Sequence, residues 1–213
     1  LFTKFILSPP KKLENFLSLT ILINMTDVKK IIELMKLREK EDVALVKKAY
    51  TAAFKAHLGQ KRFSGEPYFE HVFDTACTLA SLHMGSKAIS AGLLHDTLED
   101  GLITEGELTA KFGEEVLFLI KGVTKLGKLK YRGLERHVES LRKLFIATAQ
   151  DMRVVIVRLA DRLHNIKTLA GHGSKEKRKR IAIETLEIFA PIANKIEEKV
   201  KAGLATNTIE WDQ

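Results

Sequence analysis

Apolar residues recur at spacings of three and four along most of this chain, the period of an amphipathic helix. Val28, Ile31, Ile32 and Met35 share one face, and Val46, Ala49, Tyr50, Ala53 and His57 repeat at the same spacing. The period predicts further helices over 68–83, 87–99, 104–111, 114–122, 134–149, 151–170 and 175–201. Breaks fall at Gly59, Gly65 to Pro67, Gly85, Gly101, Gly127, Gly133 and Gly171 to Gly173, residues that interrupt regular structure. Asp151 stands where an N-cap is expected, and Thr104 with Glu107 three residues later fits a capping box. Val154 to Val157 has strand propensity, but only a helical phase aligns Asp161, Asn165 and Thr168 on one face. No repeat or low-complexity tract appears. The expectation is an all-α chain, a helical bundle in a single domain.

One stretch carries chemistry. His95-Asp96-Thr97-Leu98-Glu99-Asp100 closes the apolar run Ala91 to Leu94. Four polar groups there are costly to bury without partners. A divalent metal satisfies an imidazole and a carboxylate together. On a helix, His95 and Glu99 share one face, and Asp96 and Asp100 share the neighbouring one. One pair can hold a metal while the other faces a bound water or substrate. The plainer reading is a solvated acidic helix end, stopped by Gly101. Two more segments favour the metal. Arg62-Phe63-Ser64-Gly65-Glu66-Pro67-Tyr68-Phe69-Glu70-His71 is a Gly-Pro loop that opens a helix, with His71 near its start. Asp161 is the carboxylate inside another apolar run. His71, His95, Asp96 and Asp161 offer two nitrogens and two carboxylates, which suits Mn, Fe, Zn or Co better than Ca or Mg.

Composition narrows the class. A chain of 213 residues is one domain by default, with ample length for a core. Hydrophobic residues at 45% and charged residues at 29% read as soluble and globular. The single Cys77 excludes an internal disulfide framework and fits a reducing cytosol. It sits among Ala76, Leu79 and Ala80 and reads as a small buried hydrophobe. The net charge of +8 suits a polyanion, whether nucleotide or nucleic acid. Phe16 to Ile23 is too short to span a bilayer and lacks a signal-peptide cleavage pattern. Residues 1–24, apolar and basic, are read as an extension, with Met25 as a natural start and Thr26 or Asp27 capping the first helix. The alternative is an amphipathic helix that packs on the domain or on a partner. Residues 25–201 are taken as the domain and 202–213 as a tail.

The same residues resemble a known family. The order His71, His95-Asp96, Asp161 is the ligand order of the HD phosphohydrolase superfamily. RFSGEPYFEH, GLLHDTLED, FGEEV…IKGVTKLGK, RVVIVRLADRLHNIKTL and ETLEIFAPIANK resemble the hydrolase domain of the RelA/SpoT family, across residues 30 to 197. The resemblance implies an HD-domain bundle in a bacterial cytoplasm. It implies removal of the 3′-pyrophosphate of ppGpp and pppGpp, the alarmones of the stringent response. One Mn²⁺ per chain is expected on His71, His95, Asp96 and Asp161, with Glu99 and Asp100 as the catalytic pair. Arg62 is expected to stack on guanine, and Asn165 and Thr168 to hydrogen-bond the nucleoside. Ser64 belongs to the same substrate-binding set. Lys125 reads equally well as a pocket cation or a solvated one. Relatives that only synthesise alarmone have lost the acidic pair. Long relatives continue beyond Ala190-Pro191-Ile192-Ala193-Asn194 into a synthetase domain, so a stand-alone small hydrolase is expected.

Phe63 departs from the pattern, because many relatives carry lysine there. That lost charge bears on affinity or nucleotide choice. Arg162 reads as a structural ion-pair former and His164 as support behind the ligands. His57, His83, His137 and His172 read as ordinary surface or core histidines. Lys175 to Arg180 reads as a solvated helix face. Two alternatives stand beside the main reading. One is an HD hydrolase of another nucleotide, an adenine alarmone or NADPH. The other is a non-catalytic alarmone-binding module, which would not need the ligand set and acidic pair. The expected partner is a small nucleotide, without membrane or nucleic acid, and a homo-oligomer is left open.

Overall fold

The computed structural model describes residues 28–36, 38–127 and 151–206. Every regular element among them is helical. A first helix, α1, covers 28–34. It is followed by α2 (Lys40–Ala56), α3 (Tyr68–Ser81), α4 (Ser86–Glu99), α5 (Glu105–Phe112) and α6 (Glu114–Gly127). Beyond the undescribed stretch come α7 (Met152–Lys167), a 3₁₀ turn (Leu169–Gly171), α8 (Lys175–Glu184) and α9 (Ala190–Thr206). The expected helix over 134–149, His137 and the segment 1–24 with its proposed start lie outside the described residues. No described helix is long and apolar enough to cross a membrane.

The bundle is organised around α4. Its Ala88, Ile89, Ala91, Leu93 and Leu94 are buried, and so are Ser86, Ser90, His95 and Thr97. A helix apolar on every side belongs in the centre of a core, and α2, α3, α6 and α7 pack around this one. Close approach depends on small residues. A Cβ at Gly92 would lie 2.4 Å from Leu79 Cδ1 of α3, and one at Gly122 would lie 2.8 Å from Val154 of α7. Val154 to Val157 is buried within α7, so burial and not β-propensity decides that run.

Both expected N-terminal caps form. The Thr104 hydroxyl accepts from the Glu107 N–H while the Glu107 carboxylate accepts from the Thr104 N–H. The Asp151 carboxylate accepts from the Arg153 N–H at 2.8 Å. The helix expected over 175–201 is not continuous. A π turn, Thr185–Phe189, separates α8 from α9. Pro191 lacks the N–H that would bond to the Glu187 carbonyl, and its ring crowds that carbonyl; the wider turn lies just ahead of it. Arg162 of α7 pairs with Glu184 at 3.1 Å, and its guanidinium lies 4.4 Å from the Phe189 ring centre. It therefore anchors the C-terminal helices, as an ion-pair former should.

Because α4 is enclosed on all sides, Leu93→Ala should cost about 2–5 kcal/mol in urea unfolding. Thr104→Ala should cost about 1 kcal/mol by loss of one cap. A core substitution no more damaging than the cap substitution would contradict this placement of α4.

Candidate metal centre and active site

Three helices deliver one cluster. A tight loop precedes α3 and fixes where that helix begins. In it the Arg62 N–H bonds to the Glu66 carbonyl at 2.9 Å, the Gly65 N–H to the Arg62 carbonyl at 2.9 Å, and the Tyr68 N–H to the Gln60 carbonyl at 2.9 Å. Gly65 has φ +90°, a conformation that a side chain would strain. His71 follows one turn into α3, His95 and Asp96 occupy the last turns of α4, and Asp161 lies in the second half of α7.

His71, His95 and Asp161 are all buried, and one ligand atom from each falls within 4.8 Å of the others. His71 Nε2 is 3.2 Å and His95 Nε2 3.8 Å from Asp161 Oδ1. Asp96 closes the fourth side. Its Oδ1 is 3.2 Å from His95 Nε2 and its Oδ2 3.5 Å from His71 Nε2. Asp96 is 17% exposed, so the cluster opens to solvent on that side.

The cluster fits a metal by its own chemistry. His95 Nδ1 donates to the Gly92 carbonyl at 2.9 Å, which leaves Nε2 bare in the neutral ring. That buried Nε2 has no hydrogen-bond partner among the described residues. An imidazole with one nitrogen committed to a carbonyl and the other bare is set up to bind a cation. The field agrees. Burial alone would lower the His95 pKa, but the Asp96 and Asp161 carboxylates outweigh it and push it up to about 9. The two carboxylates therefore favour positive charge at this position. Burial would raise Asp161, yet Arg158 and the two imidazoles hold its carboxyl well below the usual range. Arg158 Nη1 is 2.5 Å from Asp161 Oδ2.

The acidic pair lies at the mouth. Glu99 and Asp100 are exposed at the end of α4. Burial and the Asp96 carboxylate raise the Asp100 carboxyl above its ordinary value. Tyr68 donates its hydroxyl to Asp96 Oδ2 at 2.8 Å, and burial with that carboxylate keeps the phenol protonated.

Of the other predicted residues, Arg62, Asn165 and Thr168 come together. Arg62 donates to Asn165 Oδ1 at 2.5 Å, to His164 Nδ1 at 2.8 Å and to Thr168 Oγ1 at 3.5 Å. Ser64 is exposed beside them and donates to Glu66 at 3.3 Å. Gly171 packs onto Ser64 so closely that a Cβ there would lie 2.8 Å away. Lys125 is exposed near the end of α6 and is not among the residues gathered here. Phe63 is 75% exposed. Its ring lies 4.6 Å from that of His172, with Lys177 Nζ 5.0 Å from the Phe63 ring centre.

Three contributors escape a reading by motif. Tyr68 orients Asp96, and Arg158 compensates Asp161 from one turn earlier on the same helix. His57, read as an ordinary histidine, is buried and stacked on Tyr68 at 4.8 Å. Burial lowers its pKa against the opposing pull of Gln60, Asp96 and Asp100. For Arg158 the spacing of three from Asp161 was a usable signal. Nothing local marks His57.

These features define a class. The chain belongs to the HD-domain family, whose profile matches residues 49–197. That family implies a divalent metal, and His71, His95 and Asp161 are grouped as residues that could hold one. Among its relatives is the GTP pyrophosphokinase of Myxococcus xanthus, 50% identical over 73% of this chain and 21% of that protein. The guanosine-3′,5′-bis(diphosphate) 3′-pyrophosphohydrolase of Aquifex aeolicus is 48% identical over 71% of this chain and 21% of its own length. The bifunctional (p)ppGpp synthase/hydrolase SpoT of Escherichia coli is 43% identical over 73% of this chain and 22% of its length. The chain therefore spans about a fifth of these relatives. A solved structure of a metazoan SpoT ortholog that hydrolyses ppGpp shares the fold. It has a TM-score of 0.55 and 22% identity, covering 68% of this chain and 83% of that one.

Calorimetric titration of metal-stripped protein with Mn²⁺ should give one site per chain. Asp161→Ala and His95→Ala should each weaken it by about 100-fold or more, because each removes an inner ligand. Wild-type affinity in Asp161→Ala would refute this cluster as the site.

Proposed function

We propose that this domain is a Mn²⁺-dependent hydrolase that removes the 3′-pyrophosphate of (p)ppGpp, releasing GDP or GTP and pyrophosphate. The observation that carries the reading is the buried His71–His95–Asp161 cluster, with Asp96 on its open side and an acidic pair one turn beyond. The near-half identity to proteins named for ppGpp hydrolysis supports the substrate. A bacterial cytoplasm is where such a nucleotide is met.

His71, His95, Asp96 and Asp161 would hold a divalent ion, which would lower the pKa of a bound water and polarise a phosphoryl oxygen. The residues around it do the rest. Asp100 and Glu99 accept the proton of the attacking water, and the raised Asp100 carboxyl is the better base for it. The water oxygen bonds to phosphorus, the bond from phosphorus to the ribose 3′-oxygen breaks, and the carboxyl that took the water's proton returns it to that oxygen, which leaves as the 3′-hydroxyl. Tyr68 fixes Asp96 through its hydroxyl. Arg62 has spent its hydrogen-bonding edge on His164, Asn165 and Thr168, so its flat face is what remains to meet a guanine ring. The positive charge missing at Phe63 stands close by on Lys177. Lys177 thus offers a cation beside the loop for a substrate bearing two pyrophosphate groups.

With Mn²⁺ present, purified protein should convert ppGpp to GDP and pyrophosphate in equal amounts. Glu99→Gln and Asp100→Asn should each bind Mn²⁺ as wild type does and lose about 100-fold or more in kcat. Faster release of phosphate from NADPH, or cleavage of an adenine alarmone in preference to ppGpp, would replace this substrate assignment. Wild-type turnover in both variants would remove the acidic pair from the mechanism.

A further inference from the structure

We infer that Arg62 is a positioning residue for the metal centre, bracing His71 through His164 and Asp161 through Asn165. The inference rests on the metal reading of the cluster and adds to it a residue on the substrate loop.

A guanidinium can only donate. Arg62 Nη2 donates to Asn165 Oδ1 at 2.5 Å, so the Asn165 amide must turn its nitrogen the other way. That nitrogen donates to Asp161 Oδ1 at 2.6 Å, and an ionised carboxylate can only accept. The amide therefore has a single orientation that satisfies both neighbours. The second branch runs in parallel. Arg62 Nη1 is 2.8 Å from His164 Nδ1, so that nitrogen must carry its lone pair. His71 Nδ1 lies 2.9 Å from the same atom and must then carry the proton. This leaves His71 Nε2 bare, facing Asp96 and Asp161, in the tautomer that a metal ligand needs.

Arg62 is itself held in place. Its loop is closed by three backbone hydrogen bonds at 2.9 Å, Thr168 Oγ1 accepts from its Nη1 at 3.5 Å, and Tyr68 presents its ring 6.0 Å from the guanidinium carbon. Without Arg62, His164 can donate from Nδ1 and His71 can hold its proton on Nε2, pointed at the carboxylates. That tautomer has no lone pair for a metal.

The test is Mn²⁺ affinity without nucleotide, read from the electron paramagnetic resonance signal of free Mn²⁺. Partners of this kind are typically worth about 10- to 100-fold in metal affinity. Arg62→Ala should therefore bind about tenfold or more weakly, with an unchanged melting profile. His164→Leu, which removes the acceptor, should show a similar loss. His164→Asn keeps an acceptor at the Nδ1 position and should stay within about threefold of wild type. Should His164→Leu fail to fold, Arg62→Ala and His164→Asn still decide the matter. Wild-type affinity in Arg62→Ala, or equal losses in His164→Asn and His164→Leu, would overturn the bracing role. Absence of Mn²⁺ binding by the wild-type protein would instead overturn the metal reading beneath it.

Discussion

A carboxylate buried at the centre of a helical bundle constrains everything around it. Asp161 is only 2% exposed, and an ionised carboxyl there is tolerable only when paired and hydrogen-bonded. Arg158, Asn165 and the imidazoles of His71 and His95 converge on it. They arrive from three places: Arg158 and Asn165 from its own helix, His71 from the first turn of α3 and His95 from the last turns of α4. The bundle must close tightly enough to bring α3, α4 and α7 together. Gly92 and Gly122 are where that closeness is visible.

The polar groups are graded from inside to outside. Asp161 and the two histidines are enclosed, Asp96 stands at the opening, and Glu99 and Asp100 lie on the exposed end of α4. Groups that would hold a cation are thus kept dry and rigid, while groups that would move a proton meet solvent and substrate. A single helix supplies both zones, because the apolar run of α4 ends where the bundle ends. The loop carrying Arg62 lies beside this opening and reaches back to the cluster through His164 and Asn165. In the proposed function, nucleotide recognition and ligand orientation would share one side chain.

Much of this was legible in the sequence. The helical period located α3, α4 and α7 closely, since each buries a continuous apolar face. The two capping motifs were readable because they are local, a side chain meeting a backbone N–H two or three residues away. The grouping of His71, His95, Asp96 and Asp161 was readable from their positions in or beside apolar runs. Other features were not. The π turn at Thr185–Phe189 lies just ahead of Pro191, inside a stretch whose residues all read as helix. His57 joins the site by stacking on Tyr68, a contact between two elements that no spacing encodes. Asn165 and Thr168, expected to hydrogen-bond a nucleoside, also hydrogen-bond Arg62, a pairing that a shared helix face does not announce because the partner comes from a loop about a hundred residues away.

The central claim is that one divalent ion sits inside this cluster. A crystal grown with Mn²⁺ and measured at the manganese absorption edge tests it directly. One anomalous peak per chain is expected, within bonding distance of His71 Nε2, His95 Nε2 and the Asp161 and Asp96 carboxylates. A peak bound only by Glu99 and Asp100, or none inside the cluster, would contradict it.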